Sequence, residues 1–342
     1  MRNKPFNSIE ETGRRQLEER LANLIGRRRD EVLRGIGKGT TVCRLPDSTD
    51  CTLQSGSMLL EGVHFDLSYS PLHHLGFKLL TSIAGDLYAS GGEPFAATIG
   101  IAVPNKLSSE MVEQIWQGFD AAAREYSVEI SGSELTASHQ ILVLSSNLTG
   151  KVAEADLIVP DHARPGELIC VTGDLGAAMA GLRILVREKK LWEESGEDGF
   201  SPDLKDFEYV IQRQLAPVAR KDLNEAMSST DLRPGAAIHI KRGLIHEIDL
   251  ICRGSGTGFE LYSPAIPISL ETRKVADEMK EDVDRYALYG GEDFEILFTL
   301  PENDEEKLRA VFDDFSVIGK VLPESEGMVI QTGEGESIRL DG

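Results

Sequence analysis

A glycine pair followed by two acids and an alternating apolar run, at residues 288–299, constrains this chain more than any other stretch. Gly290 and Gly291 allow a turn where a side chain would obstruct the backbone, and the alternation that follows predicts a strand. Glu292 and Asp293 would then lie at the mouth of that strand. Solvated acids are common in turns, so the stretch by itself leaves an ordinary turn and a functional loop both open.

Helical and strand-like periods alternate along the rest of the chain and predict an α/β fold. In the first half the predicted helices lie at 8–29, 71–90 and 108–126, and the predicted strands at 57–65, 97–103 and 141–148. The small residues of 131–136 indicate a loop. The second half is predicted to hold strands at 167–172 and 236–240 and helices at 177–190, 202–213, 217–227 and 244–253. Because 342 residues exceed the usual size of one core and 151–165 is charged and contains two prolines, we expect two domains, 1–155 and 156–342.

The acidic composition limits the partners of the chain. With 36 basic and 57 acidic residues the formal charge is −21, which argues against a nucleic-acid or anionic-membrane partner. An anionic ligand would need bound metal ions or a local cluster of Lys and Arg. The sequence has no apolar signal core and no run of 18 apolar residues, so we expect a cytoplasmic protein. The cysteines, expected to be free thiols, are Cys43, Cys51, Cys170 and Cys252.

Each of three polar features could belong to a functional site or could have only a structural role. The Gly-x-Gly-x-Gly turn at 35–39 is weak evidence for phosphate binding, since loop glycines without a ligand are more frequent. Asp86 flanks the apolar stripe of the helix predicted at 71–90, where an acid is either a rim residue or a metal ligand. The strand, glycine turn and helix start around 173–176 can hold an anion, although packing alone also explains them.

The order of motifs resembles the thiamine-monophosphate kinases, a family in the superfamily typified by aminoimidazole ribonucleotide synthetase. The most specific motifs lie at 58–65, 172–176 and 290–295, and the similarity covers roughly 8–342. The resemblance implies the two-domain aminoimidazole ribonucleotide synthetase-like fold and a homodimer in which N-terminal sheets form the interface. It also implies transfer of the γ-phosphate of ATP to thiamine monophosphate with several Mg²⁺ ions, which gives thiamine diphosphate.

The resemblance also carries site residues over to this chain. His64 and Glu292 match family positions that contact thiamine monophosphate. Asp86 and Glu134 match family acids that hold the metal. The positions on the nucleotide side are Trp116, Ser133 and Glu134.

Several of the family's acids are replaced in this chain. Gly37-Lys38-Gly39 stands where the family has Gly-Asp-Asp, and Gly56-Ser57-Met58 where it has Thr-Asp-Met. His239, Lys241 and Arg242 replace two acids and a serine of the motif Asp-x-Ser-Asp-Gly-Leu. The replaced residues are therefore those expected to bind metal and triphosphate, while the residues expected to bind the substrate are retained. Phosphoryl transfer depends on metal ions that bridge phosphate oxygens, and two remaining acids are too few for the family's metal cluster.

Two hypotheses remain on whether the protein uses Mg²⁺ and ATP and catalyses the family reaction. The first is a catalytically impaired paralogue that keeps a thiamine-phosphate pocket and forms a homodimer, or a heterodimer with an intact paralogue. The second is an active kinase with a reduced metal site, in which Lys38, Lys241 and Arg242 do part of the work of Mg²⁺. An altered substrate is a further alternative.

Overall fold

The computed structural model of the protein describes residues 13–25, 28–46, 48–195, 202 and 204–340. The elements of the first half are α1 Arg14–Leu24, β1 Val32–Arg34, β2 Thr41–Arg44, β3 Asp50–Leu60, α2 Leu72–Ala89, β4 Glu93–Pro104, α3 Ser109–Glu125, β5 Glu129–Ser138 and β6 Val143–Ala153. Those of the second half are β7 Leu168–Thr172, α4 Ala177–Ser195, α5 Glu208–Leu215, α6 Lys221–Ser228, β8 Ala237–His239, α7 Leu244–Ser255, β9 Thr257–Tyr262, α8 Leu270–Met279, α9 Val283–Tyr289, β10 Ile296–Leu300, α10 Glu305–Arg309, β11 Phe315–Pro323, β12 Met328–Gln331 and β13 Ser337–Arg339.

Six strands of the first half form one sheet in the order β1-β2-β3-β6-β4-β5. Strands β4 and β5 run parallel, and β3, β6 and β4 pair in antiparallel fashion. Helix α2 packs one face of the sheet, with α3 against it, because α2 carries the predicted apolar stripe. The members of that stripe, all at most 2% exposed, are Leu75, Leu79, Ile83 and Leu87.

The second sheet holds seven strands in the order β13-β12-β9-β11-β7-β10-β8. Every residue of its neighbouring strands β7 and β10 is buried, as expected for strands covered on both faces. Strand β10 is the strand predicted after the glycine pair. The mixed α/β fold with two sheets confirms the predicted fold class.

Helix α2 lies where the two halves of the molecule meet. The largest apolar cluster joins Leu53 and Ile83 of the first half to Phe298 of the second. Backbone and side-chain hydrogen bonds also cross between the halves, from the Ala219 N–H to the Tyr126 hydroxyl at 3.1 Å for example. Side chains of α2 that face the second half therefore have fixed partners there.

The prediction of a loop at 131–136 is wrong, because these residues belong to strand β5. This strand lies at the edge of the sheet and pairs in parallel with β4, for example Gly132 with Thr98 and Glu134 with Gly100. Backbone hydrogen bonds to β4 hold the strand, and its mostly exposed side chains need no apolar alternation. The sequence therefore lacked the usual strand signal.

The helix predicted at 8–29 is shorter where the structure describes it. Helix α1 ends at Leu24, so Arg28 and Arg29 lie beyond it, while 8–12 and Arg27 fall outside the described residues. The helix predicted at 177–190 continues to Ser195, and 196–201 lie outside the described residues. The four cysteines are free thiols, as predicted. Across the described ranges, no helix combines the length and apolar character needed to cross a bilayer.

Candidate functional site

The acidic loop after α9 has an unusual backbone. Gly291, Glu292 and Phe294 have φ values of 76°, 58° and 55°. The Glu292 and Phe294 N–H groups donate to the carbonyl oxygens of Lys241 and Ile240 at 2.9 and 3.1 Å. Positive φ is unfavourable for residues with a Cβ, so these hydrogen bonds to the segment after β8 hold the loop in a conformation that it would not keep alone.

Asp293 is a buried structural acid rather than a solvated turn acid. It is 1% exposed, and its carboxylate accepts hydrogen bonds from the backbone N–H groups of Gly176 and Ala178 at 3.0 and 3.3 Å. Burial raises the pKa of the Asp293 carboxyl to about 7. The acid thereby joins the loop to the start of α4, where N–H groups lack intrahelical partners.

A buried ion network lies behind the loop. The Glu295 carboxylate accepts from Arg213 at 2.8 Å and from Arg220 at 3.0 Å. The Thr172 hydroxyl donates to the same carboxylate at 2.5 Å. These contacts connect β7 and α5 to the acidic loop, and fix the loop relative to the second sheet.

The loop forms one wall of a cavity of about 280 Å³. The other walls come from the loop after β3 and from α4, and the side chains include His64, Tyr69, Met179, Gln214 and Glu292. Nδ1 of His64 accepts from the Leu60 N–H at 3.1 Å, which sets the direction of the ring. The structure thus brings together His64 and Glu292, the two residues expected on the substrate side.

Both acids of the cavity have cationic partners. Glu292 pairs with Lys78 of α2 at 2.8 Å. Asp66 pairs with Lys189 of α4 at 2.6 Å. Burial tends to raise the pKa of Asp66, but hydrogen bonds from Lys189 and Ser68 outweigh burial and lower it. The cavity therefore presents two carboxyl groups, a suitable wall for a cationic or amine-bearing ligand.

Asp86 lies on α2, eight residues after Lys78, and is not among the residues that line the cavity. Its carboxylate accepts from the Ser55 hydroxyl at 2.6 Å, from Lys241 Nζ at 2.7 Å and from His239 Nδ1 at 3.2 Å. Burial alone would raise the pKa of this carboxyl, but Lys241 and His239 outweigh burial and hold the pKa well below its usual range. Asp86 is thus an ionised acid with three protein donors, from β3 and from the segment 239–241.

His239 is a neutral imidazole packed into the contact between the halves. It is 2% exposed, its ring lies 5.2 Å from the Phe294 ring, and a Cβ on Gly85 would come within 2.4 Å of it. Burial lowers the pKa of His239 and outweighs the opposing effect of Asp86. The neutral ring therefore donates from Nδ1 to Asp86, and its Nε2 finds no hydrogen-bond partner among the described residues.

The residues around Asp86 do not fit a magnesium ion. Mg²⁺ demands near-octahedral oxygen ligands, whereas an ammonium and an imidazole N–H point at this carboxylate. Within the described part of the chain, no group of three or more His, Cys, Asp or Glu side chains could hold a metal ion. The donor set is that of a closed ion pair.

Asp86 and Glu134 lie on opposite faces of the first sheet. Register pairs Glu134 with Gly100, Ser145 and Met58, whereas Ser55, which contacts Asp86, alternates to the helix-covered face. Glu134 is exposed. A single chain thus does not bring these two acids to one ion.

The other predicted site residues lie apart from Asp86. Ser133 is exposed on β5. Trp116 packs edge-on against Phe119 at 5.9 Å between ring centroids. Lys38 is exposed, and Arg242 approaches the buried Glu247 at 3.6 Å. Of the three basic residues that replace or flank family acids, Lys241 is the one that contacts Asp86.

Two residues at these sites were not predicted from the sequence. Lys78 is 5% exposed and binds Glu292, and Ser55 binds Asp86. A signal for Lys78 was present, because a lysine stands beside the apolar stripe of α2 on its buried side. Ser55 had no such signal, since alternating small polar residues are ordinary in a strand.

The first half matches a family described as AIR synthase related protein, N-terminal domain, over residues 37–152. The fold and the cleft between the two halves thus define an AIR synthase-related protein. The thiamine-monophosphate kinase of Aquifex aeolicus is 32% identical over 291 residues, which cover 85% of this chain and 84% of that relative. That of Bacillus subtilis is 26% identical over 83% of this chain and 84% of the relative. The solved structure of AaThiL complexed with AMPPCP and TMP is similar at a TM-score of 0.82 and 26% identity, covering 99% of this chain and 98% of the other. The chain belongs to the thiamine-monophosphate kinase family.

Proposed function

We propose that this protein binds thiamine monophosphate in the cavity beside Glu292 and transfers phosphate to it weakly or not at all. The observation that carries the proposal is the contrast between two sites along α2. His64 and Glu292 line an open cavity, whereas the Asp86 carboxylate is bound by Ser55, His239 and Lys241.

The ligand is supported by the relatives and by the chemistry of the cavity. Relatives at 26 to 32% identity are thiamine-monophosphate kinases, and a similar structure contains AMPPCP and TMP. The ring system of thiamine carries a fixed positive charge and an amine. A carboxylate such as Glu292 or Asp66 suits either group, and binding at this end needs no metal.

Weak transfer is supported by the donors around Asp86. Phosphoryl transfer depends on cations that neutralise the phosphate oxygens, and each lost contact of this kind costs several kcal/mol of transition-state stabilisation. Two such losses slow the reaction by roughly 10⁴-fold, because about 1.4 kcal/mol is tenfold. We infer that ATP and Mg²⁺, which the family reaction uses, do not assemble at Asp86.

A second candidate is an active kinase with a reduced metal site. The position of Lys241 favours it, because its ammonium lies 2.7 Å from Asp86 and places a positive charge beside that carboxylate. Lys38 and Arg242 would supply further charge from exposed positions. In this version the protein's own cations do part of the work of Mg²⁺.

We further propose a cytoplasmic homodimer formed through the first sheet of domain 1–155, with 156–342 as the second domain. The sheet face opposite α2 supports this assembly, since it presents Met58 at 53% exposure next to small residues such as Gly100 and Ser145. Pairing with an intact paralogue would use the same face. Sedimentation at micromolar concentration should give twice 37.5 kDa, and a monomer alone would contradict the assembly.

Binding and turnover measured on the same preparation test the function. Calorimetry should detect thiamine monophosphate binding that Glu292→Gln weakens by at least about tenfold, since hydrogen bonds to charged groups contribute about 1.5–3 kcal/mol. Glu302→Gln, remote from the cavity, is the matched control. Turnover with ATP and Mg²⁺ should lie far below the 1 to 100 per second or so typical of kinases. Turnover at such rates, abolished by Asp86→Ala, would establish the second candidate instead.

A further inference from the structure

Lys78 is a charged residue in a largely apolar packing environment. It lies in the middle of α2 beside Leu75 and Leu79, and it is 5% exposed. A buried ammonium is costly unless it is paired and hydrogen-bonded. Packing of α2 alone would be served better by an apolar side chain, so the partners of Lys78 must account for its charge.

Both partners of Lys78 lie in the second half of the molecule, at the cavity. Its Nζ donates to the Gln214 carbonyl oxygen and to Oε2 of Glu292, each at 2.8 Å. Nε2 of Gln214 approaches the same Oε2 at 3.4 Å. Oε1 of Glu292 accepts no hydrogen bond from the described residues. One oxygen of this carboxylate is thus held by the protein, and the other remains available.

The backbone of Glu292 is fixed as well. Its φ of 58° is stabilised by the hydrogen bond from its N–H to the Lys241 carbonyl oxygen. The remaining freedom of Glu292 lies in its side-chain torsions, which the contact with Lys78 restricts. Restricting a binding group before the ligand arrives lowers the entropic cost of binding.

We propose that Lys78 is a positioning residue that holds Glu292 in the orientation that receives the ligand. The inference rests on the proposed function, in which thiamine monophosphate occupies the cavity. Lys78 acts from behind the carboxylate, because its side chain is 6% exposed whereas that of Glu292 is 31% exposed. A ligand in the cavity therefore meets the carboxylate before the ammonium, and the orienting effect outweighs the repulsion of a cationic ring.

A double-mutant cycle on the full chain tests this role. Thiamine monophosphate is titrated by calorimetry into the wild type, Lys78→Met, Glu292→Gln and the double variant. Lys78→Met should weaken binding by about tenfold alone, but by less than about twofold in the Glu292→Gln background, where no carboxylate is left to position. Lys78→Arg keeps a charged donor and should recover affinity to within about threefold of the wild type. Lys320→Met is the control. It removes a surface ion pair between Lys320 on β11 and Glu302, and it should bind thiamine monophosphate as the wild type does.

Each outcome has a definite meaning. Equal losses in both backgrounds, or no recovery in Lys78→Arg, would assign Lys78 a packing role and overturn the inference. Unchanged or tighter binding by Lys78→Met would also overturn it. Should Lys78→Met not fold, Gln214→Leu removes the second donor, and a loss that disappears in the Glu292→Gln background supports the same positioning. Absence of binding by the wild type would instead refute the proposed function, and with it this role.

Discussion

Two sites along α2 use acidic residues in opposite ways. At one end, Asp86 has donors from Ser55, His239 and Lys241 around its carboxylate. At the other end, Glu292 keeps an oxygen available beside a cavity of about 280 Å³. Both acids are among the site residues that the resemblance predicts. The comparison teaches that the neighbours of an acid, rather than its presence in a motif, decide whether it can bind a ligand.

The same contrast appears in the protonation of the buried acids. The Asp86 side chain is 12% exposed and Asp293 is 1% exposed, yet the pKa of Asp86 is lowered and that of Asp293 is raised to about 7. Asp86 has an ammonium at 2.7 Å, whereas the hydrogen bonds to Asp293 come from two backbone N–H groups. At Asp86 the charge of Lys241 and the hydrogen bond from His239 outweigh burial, whereas at Asp293 the charge of Arg213 and the two peptide N–H groups do not.

Asp86→Asn should have the largest effect on this comparison. The substitution removes the charge that three donors surround, and we expect a loss of about 2 kcal/mol in the free energy of unfolding, less than for a fully buried pair because Lys241 can reach solvent. Urea denaturation measures the loss. Glu134→Gln on the opposite face of the sheet is the control and should change stability by less than about 0.5 kcal/mol. Similar values for both variants would show that the donors around Asp86 contribute little.

Asp293→Asn should change the pH dependence of stability. The folded pKa of about 7 lies above the unfolded value near 4, so the folded state binds more protons between these pH values. The contribution of Asp293 is therefore full below pH of about 4 and is lost as the pH rises through about 7. Between pH 5 and 7 the wild type should lose about 1 to 2 kcal/mol relative to the variant. Parallel stability curves for the two proteins across this range would contradict a raised pKa.

Lys241→Met should give a smaller change than Asp86→Asn. Lys241 is one of three donors, and its side chain is 32% exposed, so we expect a loss of about 1 kcal/mol. The double variant with Asp86→Asn should be less destabilised than the sum of the single variants, because both substitutions break one contact. Strict additivity in urea denaturation would mean that the two residues stabilise the fold independently.

The sequence predicted most where the periodicity was strong or a motif was specific. The stripe of α2, the strand β10 and the shared cavity of His64 and Glu292 were anticipated in this way. Strand β5 was missed because a polar edge strand lacks apolar alternation. The contact of Lys78 with Glu292 could not be predicted, since a helical period identifies the buried face of α2 but not which charge on it meets a loop far away in sequence.

In the proposed function, the Lys241 ammonium takes the place of a bound cation at Asp86 while the cavity stays open. A melting series over Mg²⁺, with and without ATP, tests it most directly, because a ligand that binds only the folded state raises the melting temperature by linkage. The family relative from Bacillus subtilis, measured in parallel, serves as the positive control and should melt higher when both are present. We expect no change in the melting temperature of this protein under any of the conditions. A melting temperature that rises only when Mg²⁺ and ATP are both present would show a functional metal site and contradict the account.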